Sequence, residues 1–102
     1  MKLLDVRTSD GSRHFLCLPQ NVTWRVLCRH LLRLEGTRIF NFVGCGMAAA
    51  WIDFGYRGNR FLVRNEGRDF SFFVRDPLCP DLTLFALALH CERLLGRIVG
   101  SE

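Results

Sequence analysis

The chain has 102 residues, of which 49% are apolar and 24% charged, and a formal net charge of +4. This is globular composition, enough for one hydrophobic core but too short for two, so one domain over residues 1–102 is expected and a disordered chain is excluded. No apolar run approaches the roughly 20 residues of a membrane-spanning helix, and MKLLDVRTSDG reaches Asp5 before any hydrophobic region develops; neither a span nor a secretory leader is expected, and cytoplasmic residence is the default.

In chain order, Lys2–Thr8 and Arg13–Leu18 read as short strands around a Ser9-Asp10-Gly11-Ser12 loop. Asp-Gly is a hairpin signal, and Leu4, Val6, Phe15 and Cys17 alternate with polar neighbours. Pro19 lacks the amide that would continue a ladder. A helix is expected from Thr23 to Glu35, capped by Asn21 or Thr23 and stopped by Gly36. Its apolar face is Trp24, Leu27, Cys28, Leu31 and Leu34, with Arg25, Arg29 and Arg33 as a basic stripe opposite.

Arg38–Val43 is β-branched and aromatic, a strand composition. Gly44-Cys45-Gly46 breaks the pattern, after which Ala50–Arg57, extended back to about Ala48, Arg60–Asn65 and Asp69–Arg75 form a three-stranded meander. Its turns are expected at Gly58-Asn59 and Glu66-Gly67, where glycine supplies positive φ. Pro77 and Pro80 bound a loop, and a last helix runs to about Leu95 with Asp81 or Thr83 as its cap and Gly96 as its stop. The expected fold is therefore α+β: a two-layer sandwich of a mainly antiparallel sheet, in the order ββα-ββββ-α, with both helices on one face.

The opening hairpin at Ser9–Ser12, followed by Pro19 and a helix from Thr23, resembles the start of a β-grasp (ubiquitin-like) domain over about Met1 to Gly36. The resemblance is one of element order. It implies a β-grasp-like N-terminal half as the alternative architecture.

Alternation divides the meander into two faces. Ile52, Phe54, Tyr56, Phe61, Val63, Phe70, Phe72 and Val74 share the core side. The other side carries Trp51, Asp53, Arg57, Arg60, Leu62, Arg64, Asp69, Ser71, Phe73 and Arg75. Arginine beside exposed apolar groups suits a protein or peptide partner, for which Trp51, Arg57, Arg60, Leu62, Arg64, Phe73 and Arg75 are the candidate contacts. Single-stranded nucleic acid is the alternative, stacking on Trp51 and Phe73 with phosphates on Arg57, Arg60 and Arg64. Asp53 and Asp69 dilute a phosphate surface, and no RNP-type signature is present. Thirteen arginines face one lysine, but they are spread through the chain rather than clustered.

On the last helix, Leu84, Leu87, Ala88, Cys91, Leu94, Leu95 and Ile98 form a core stripe. Leu82, Phe85 and Leu89 fall outside it and are expected to contact a second subunit or the first helix, which favours a homodimer.

Five cysteines without a CxxC pair do not form a disulfide framework and read as small buried hydrophobes of a reducing compartment. Cys28-x-His30 and His90-Cys91 would need shared helix faces to hold zinc. Residues two apart lie about 200° apart and adjacent ones about 100°, so no metal or other cofactor is expected. Cys45, between two glycines and with His14 as its base, is the one candidate nucleophile. A non-enzymatic interaction module is the leading expectation.

Overall fold

The computed structural model describes residues 2–44 and 50–96. Its elements are β1 (Val6–Arg7), β2 (Arg13–Pro19), α1 (Trp24–Leu32), β3 (Arg38–Val43), β4 (Trp51–Tyr56), β5 (Asn59–Glu66), β6 (Asp69–Val74) and α2 (Asp81–Leu95). The fold is α+β, and the element order is the expected one. The six strands form one sheet in the order β1-β2-β6-β5-β4-β3, every pair antiparallel. The resemblance to a β-grasp domain ends with the ββα order, because β1 is a two-residue edge strand and no strand pair among the described residues is parallel. The residues proposed to extend β4 back to Ala48 lie outside the described residues.

The turns of the meander sit one residue from their expected places. Tyr56 pairs with Asn59, so the first turn is Arg57-Gly58, with φ of 49° and 77°. Positive φ at both central residues is the geometry that matches strand twist in a two-residue hairpin. Glu66 pairs with Asp69, so Gly67, at φ 64°, opens the second turn.

The core face of the meander is as expected: Ile52, Phe54, Tyr56, Phe61, Val63, Phe70, Phe72 and Val74 are all buried. Both helices pack on it. Leu27 and Leu31 of α1 and Leu84, Leu87, Ala88 and Cys91 of α2 join the same cluster, and Trp24 meets Phe70 edge-on at 4.7 Å. Ile98, the last residue of the expected α2 stripe, lies outside the described residues.

The N-terminal hairpin departs from the expected alternation. A bulge in β2 between His14 and Leu16 places Phe15 and Leu16 both inside. Beyond it, Leu18 faces the core, and Cys17 turns outward, toward Asp69 and Ser71. Leu4 and Val6 are exposed. One extra residue inverts every side chain that follows, a change the periodicity of a seven-residue strand does not reveal.

The helix ends obey local chemistry except at one point. Thr23 caps α1, its hydroxyl accepting from the Val26 amide at 3.3 Å. The helix closes at Leu32, before Glu35, because the amides of Arg33 and Leu34 bond three residues back, to His30 and Leu31. Asn21 instead donates to the Leu95 carbonyl at 2.9 Å, satisfying the C-terminal end of α2. Neither Asp81 nor Thr83 caps α2. Pro80 is the N-cap, its carbonyl accepting from the Thr83 and Leu84 amides, while the Asp81 carboxylate is drawn to Arg13 at 3.4 Å.

The helices meet through two histidines. The rings of His30 and His90 stack with centroids 3.9 Å apart. His30 Nε2 donates to the His90 carbonyl at 2.6 Å, and His90 Nε2 donates to the His30 carbonyl at 2.5 Å. Burial holds the His90 pKa below its ordinary 6.5; the bond to the His30 carbonyl opposes this, while the like charges of His30, Arg93 and Arg33 reinforce it. Because the folded pKa is depressed, the unfolded chain takes up the proton first as pH falls. Stability is therefore complete above about pH 6.5 and declines as pH drops toward the folded value. Urea midpoints measured from neutral to mildly acidic pH are expected to show this decline, and His90→Gln, which can still donate to the His30 carbonyl, is expected to flatten it. An identical pH profile in His90→Gln would contradict the assignment.

Candidate functional site

The sheet face turned away from the helices is covered by neither α1 nor α2. Alternation and register bring to it His14 and Cys17 of β2, Asp69, Ser71 and Phe73 of β6, Arg60, Leu62 and Arg64 of β5, Trp51 and Asp53 of β4, and Phe40 of β3. Phe40 arrives by a second bulge, between Ile39 and Asn41. The extra residue lays its ring across Gly55, where an added Cβ would come within 2.7 Å of it. A side chain at position 55 would displace this ring.

Two arginines are locked into this surface. Arg60 donates through Nη2 to both carboxylate oxygens of Asp53, at 3.1 and 3.0 Å, while its guanidinium lies 4.2 Å over the Phe40 ring. Arg64 pairs with Glu66 at 3.0 Å and lies 4.4 Å over Phe73. From the other side, His14 stacks on Phe73 at 4.7 Å. Phe73 is in consequence only 5% exposed. Glu66 also accepts from Ser71 at 3.2 Å. Guanidiniums that are both paired and stacked lose much of their side-chain freedom, so the surface is preorganised.

Between these groups runs a groove of about 370 Å³, floored by Leu62 and Phe73 and rimmed by Arg60, Asp53, Arg75 and Asp10. The Asp10 carboxylate accepts from the Ser12 amide at 3.0 Å, the Ser12 hydroxyl at 2.7 Å and the Thr8 hydroxyl. These bonds, led by the Ser12 hydroxyl, hold its pKa well below the usual carboxylate range. Arg75 differs from Arg60 and Arg64: its side chain is exposed and pairs with no carboxylate among the described residues.

Of the seven residues expected on this surface, Arg60, Leu62, Phe73 and Arg75 converge on the groove. Arg64 stands beside it over Phe73, and Trp51, its cross-strand partner on β4, is half-buried. Arg57 is not part of it; it occupies the β4–β5 turn and lies 5.1 Å over Tyr56. His14, Phe40 and Asp10 were not anticipated. Phe40 reaches this face through a bulge, His14 by ordinary alternation just ahead of one, and Asp10 through the turn of the first hairpin.

A second uncovered surface lies on α2. Leu82 is 79% exposed, Leu89 46% and Phe85 half-buried. At 1.5 Å per residue the nine residues of α1 span roughly 13 Å against roughly 22 Å for the fifteen of α2. Its His30 meets His90 in the C-terminal half of α2, leaving this ridge open.

Cys45 lies outside the described residues. His14, its suggested base, is engaged by Phe73 and by the Leu16 carbonyl, 3.1 Å from Nε2. Burial raises the thiol pKa of Cys17, Cys28 and Cys79, and it pushes Cys91 up to about 12. These thiols are protonated at neutral pH and poorly nucleophilic. Among the described residues no cluster of three or more His, Cys, Asp or Glu is placed to hold a metal ion, and no helix is long and apolar enough to cross a membrane.

Comparison with protein-family models, with curated proteins and with solved structures returned no match.

Proposed function

We propose that the chain is a non-enzymatic protein-interaction module of the cytoplasm, working as a homodimer and binding a protein or peptide segment on the open face of its sheet. The observation that carries the reading is the groove over Leu62 and Phe73, apolar in its floor and rimmed by preorganised charge. Leu62 offers a desolvated contact, and Arg75 offers a guanidinium that no carboxylate among the described residues engages, for a carboxylate of the partner. Free cysteines at positions 17, 28, 79 and 91 support a reducing compartment.

Single-stranded nucleic acid is the weaker reading. Phosphates would have to displace Asp53 from Arg60 and Glu66 from Arg64, and Phe73, sandwiched and buried, has no open face for a base.

The test is a titration with short peptides carrying leucine and carboxylate residues, followed by backbone amide shifts. Shifts are expected to concentrate on β5 and β6, to vanish in Leu62→Asp and to weaken in Arg75→Glu. Binding indifferent to Leu62→Asp would overturn the assignment. A steep loss of oligonucleotide binding with added salt would favour the nucleic-acid reading instead.

A further inference from the structure

We infer that the exposed ridge of α2 is the docking site for α2 of a second copy of this chain, packed antiparallel about a two-fold axis near Phe85 and Ala86. The inference rests on the proposed homodimer and specifies its geometry.

Leu82, Phe85, Ala86, Leu89 and Arg93 recur at the 3–4 spacing that places residues on one helix face. The two ends of α2 differ in charge. At the N-terminal end stand Asp76 and Asp81, both exposed; Asp81 touches Arg13 at 3.4 Å, yet its side chain remains 68% exposed. At the C-terminal end stand Arg93, exposed, and Arg33 from α1, which outnumber the half-buried Glu92; both arginines are close enough to disfavour a proton on His90.

A parallel arrangement would set acid against acid and arginine against arginine. The antiparallel one brings the arginine end of each copy to the acidic end of the other and sets Leu82 against Leu89 of the second copy. A two-fold axis makes each of these contacts twice, as an isologous interface requires. The approach is unobstructed by α1, which meets α2 through His90, about 80° around the helix from Leu82.

The test combines solution mass with cross-linking. Sedimentation of the whole chain is expected to show a dimer that Leu82→Asp converts to monomer. Arg93→Glu reverses both end contacts and is expected to raise the dissociation constant about tenfold. In a parallel dimer it would merely exchange one repulsion for another. Leu82→Cys and Leu89→Cys proteins, mixed and treated with a short bismaleimide, are expected to give a linkage between positions 82 and 89 of different copies, identified by mass spectrometry separately from any native thiol. Leu82, Leu89 and Arg93 are solvent-facing, and an unchanged circular dichroism spectrum confirms folding.

A monomer at every concentration would overturn both this proposal and the dimer reading. A dimer unaffected by Leu82→Asp would overturn this proposal alone. Linkage of 82 to 82 and 89 to 89, without 82 to 89, would overturn the antiparallel register.

Discussion

Phe61→Ala is expected to lower the unfolding free energy by about 3–5 kcal/mol, a large part of what holds a domain this size folded. Phe61 stacks on Phe54 at 5.3 Å and meets Phe15 edge-on at 5.8 Å, all three rings being buried. It sits on β5, with β4 hydrogen-bonded on one side and β6 on the other. Two flanking strands keep the backbone from collapsing into the space the ring leaves, so the cavity cost adds to the lost transfer energy. Equilibrium urea unfolding measures it: the midpoint should fall while the slope stays constant. Leu89→Ala, on the open ridge of α2, is the control and should change monomer stability by no more than about 0.5 kcal/mol. A loss below about 1 kcal/mol for Phe61→Ala would mean that the site relaxes far more than two paired strands allow.

The second large effect belongs to Arg13, the buried cation of the sheet. Only 8% exposed, it pairs across to Val74 on the core side of β6. Its Nε donates to the Leu4 carbonyl at 3.0 Å, and its guanidinium reaches Asp81 and Asp5, each at 3.4 Å. Two contributions compete here. The carboxylates are mostly solvated, so their Coulomb contribution is the small one of surface pairs, below about 1 kcal/mol. The packed stem and the charge-assisted bond to a backbone carbonyl are desolvated, and their loss costs about 2–3 kcal/mol. Arg13→Ala should therefore destabilise by about 2–3 kcal/mol, while Asp81→Asn should cost under about 1 kcal/mol. Equal costs for the two would show that the ion pair dominates, contrary to the exposure of its acid partner.

The meander was legible because its information is local and redundant. Eight apolar residues at every second position define one face without reference to anything distant, and all eight are buried. The helices were legible for the same reason: Thr23 marks the start of α1, and Leu84, Leu87, Ala88 and Cys91 recur at helical spacing on α2, although α1 stops at Leu32, short of the Gly36 expected to end it. The first hairpin was misread because β2 carries an extra residue at Phe15, and a single insertion reverses the facing of Cys17 and Leu18. Capping by Asp81 was misread because its competitor, Arg13, is 68 positions away. Local preference favours the cap, and only the folded chain brings the buried cation to the carboxylate.

The candidate site divides along the same line. That Arg60, Leu62, Phe73 and Arg75 share a face followed from strand alternation alone. That Arg60 and Arg64 are spoken for by Asp53 and Glu66, that His14 covers Phe73, and that Phe40 lies over Gly55 did not follow, since each depends on which strand neighbours which. Sequence by itself determined the order of the elements, the inward faces of the meander and the helices, and the surplus of apolar residues on α2, because propensity and periodicity act within a few residues. Tertiary structure decided which arginines remain free and where open apolar surface remains, because ion pairs, bulges and helix lengths are settled only when distant segments compete for the same space.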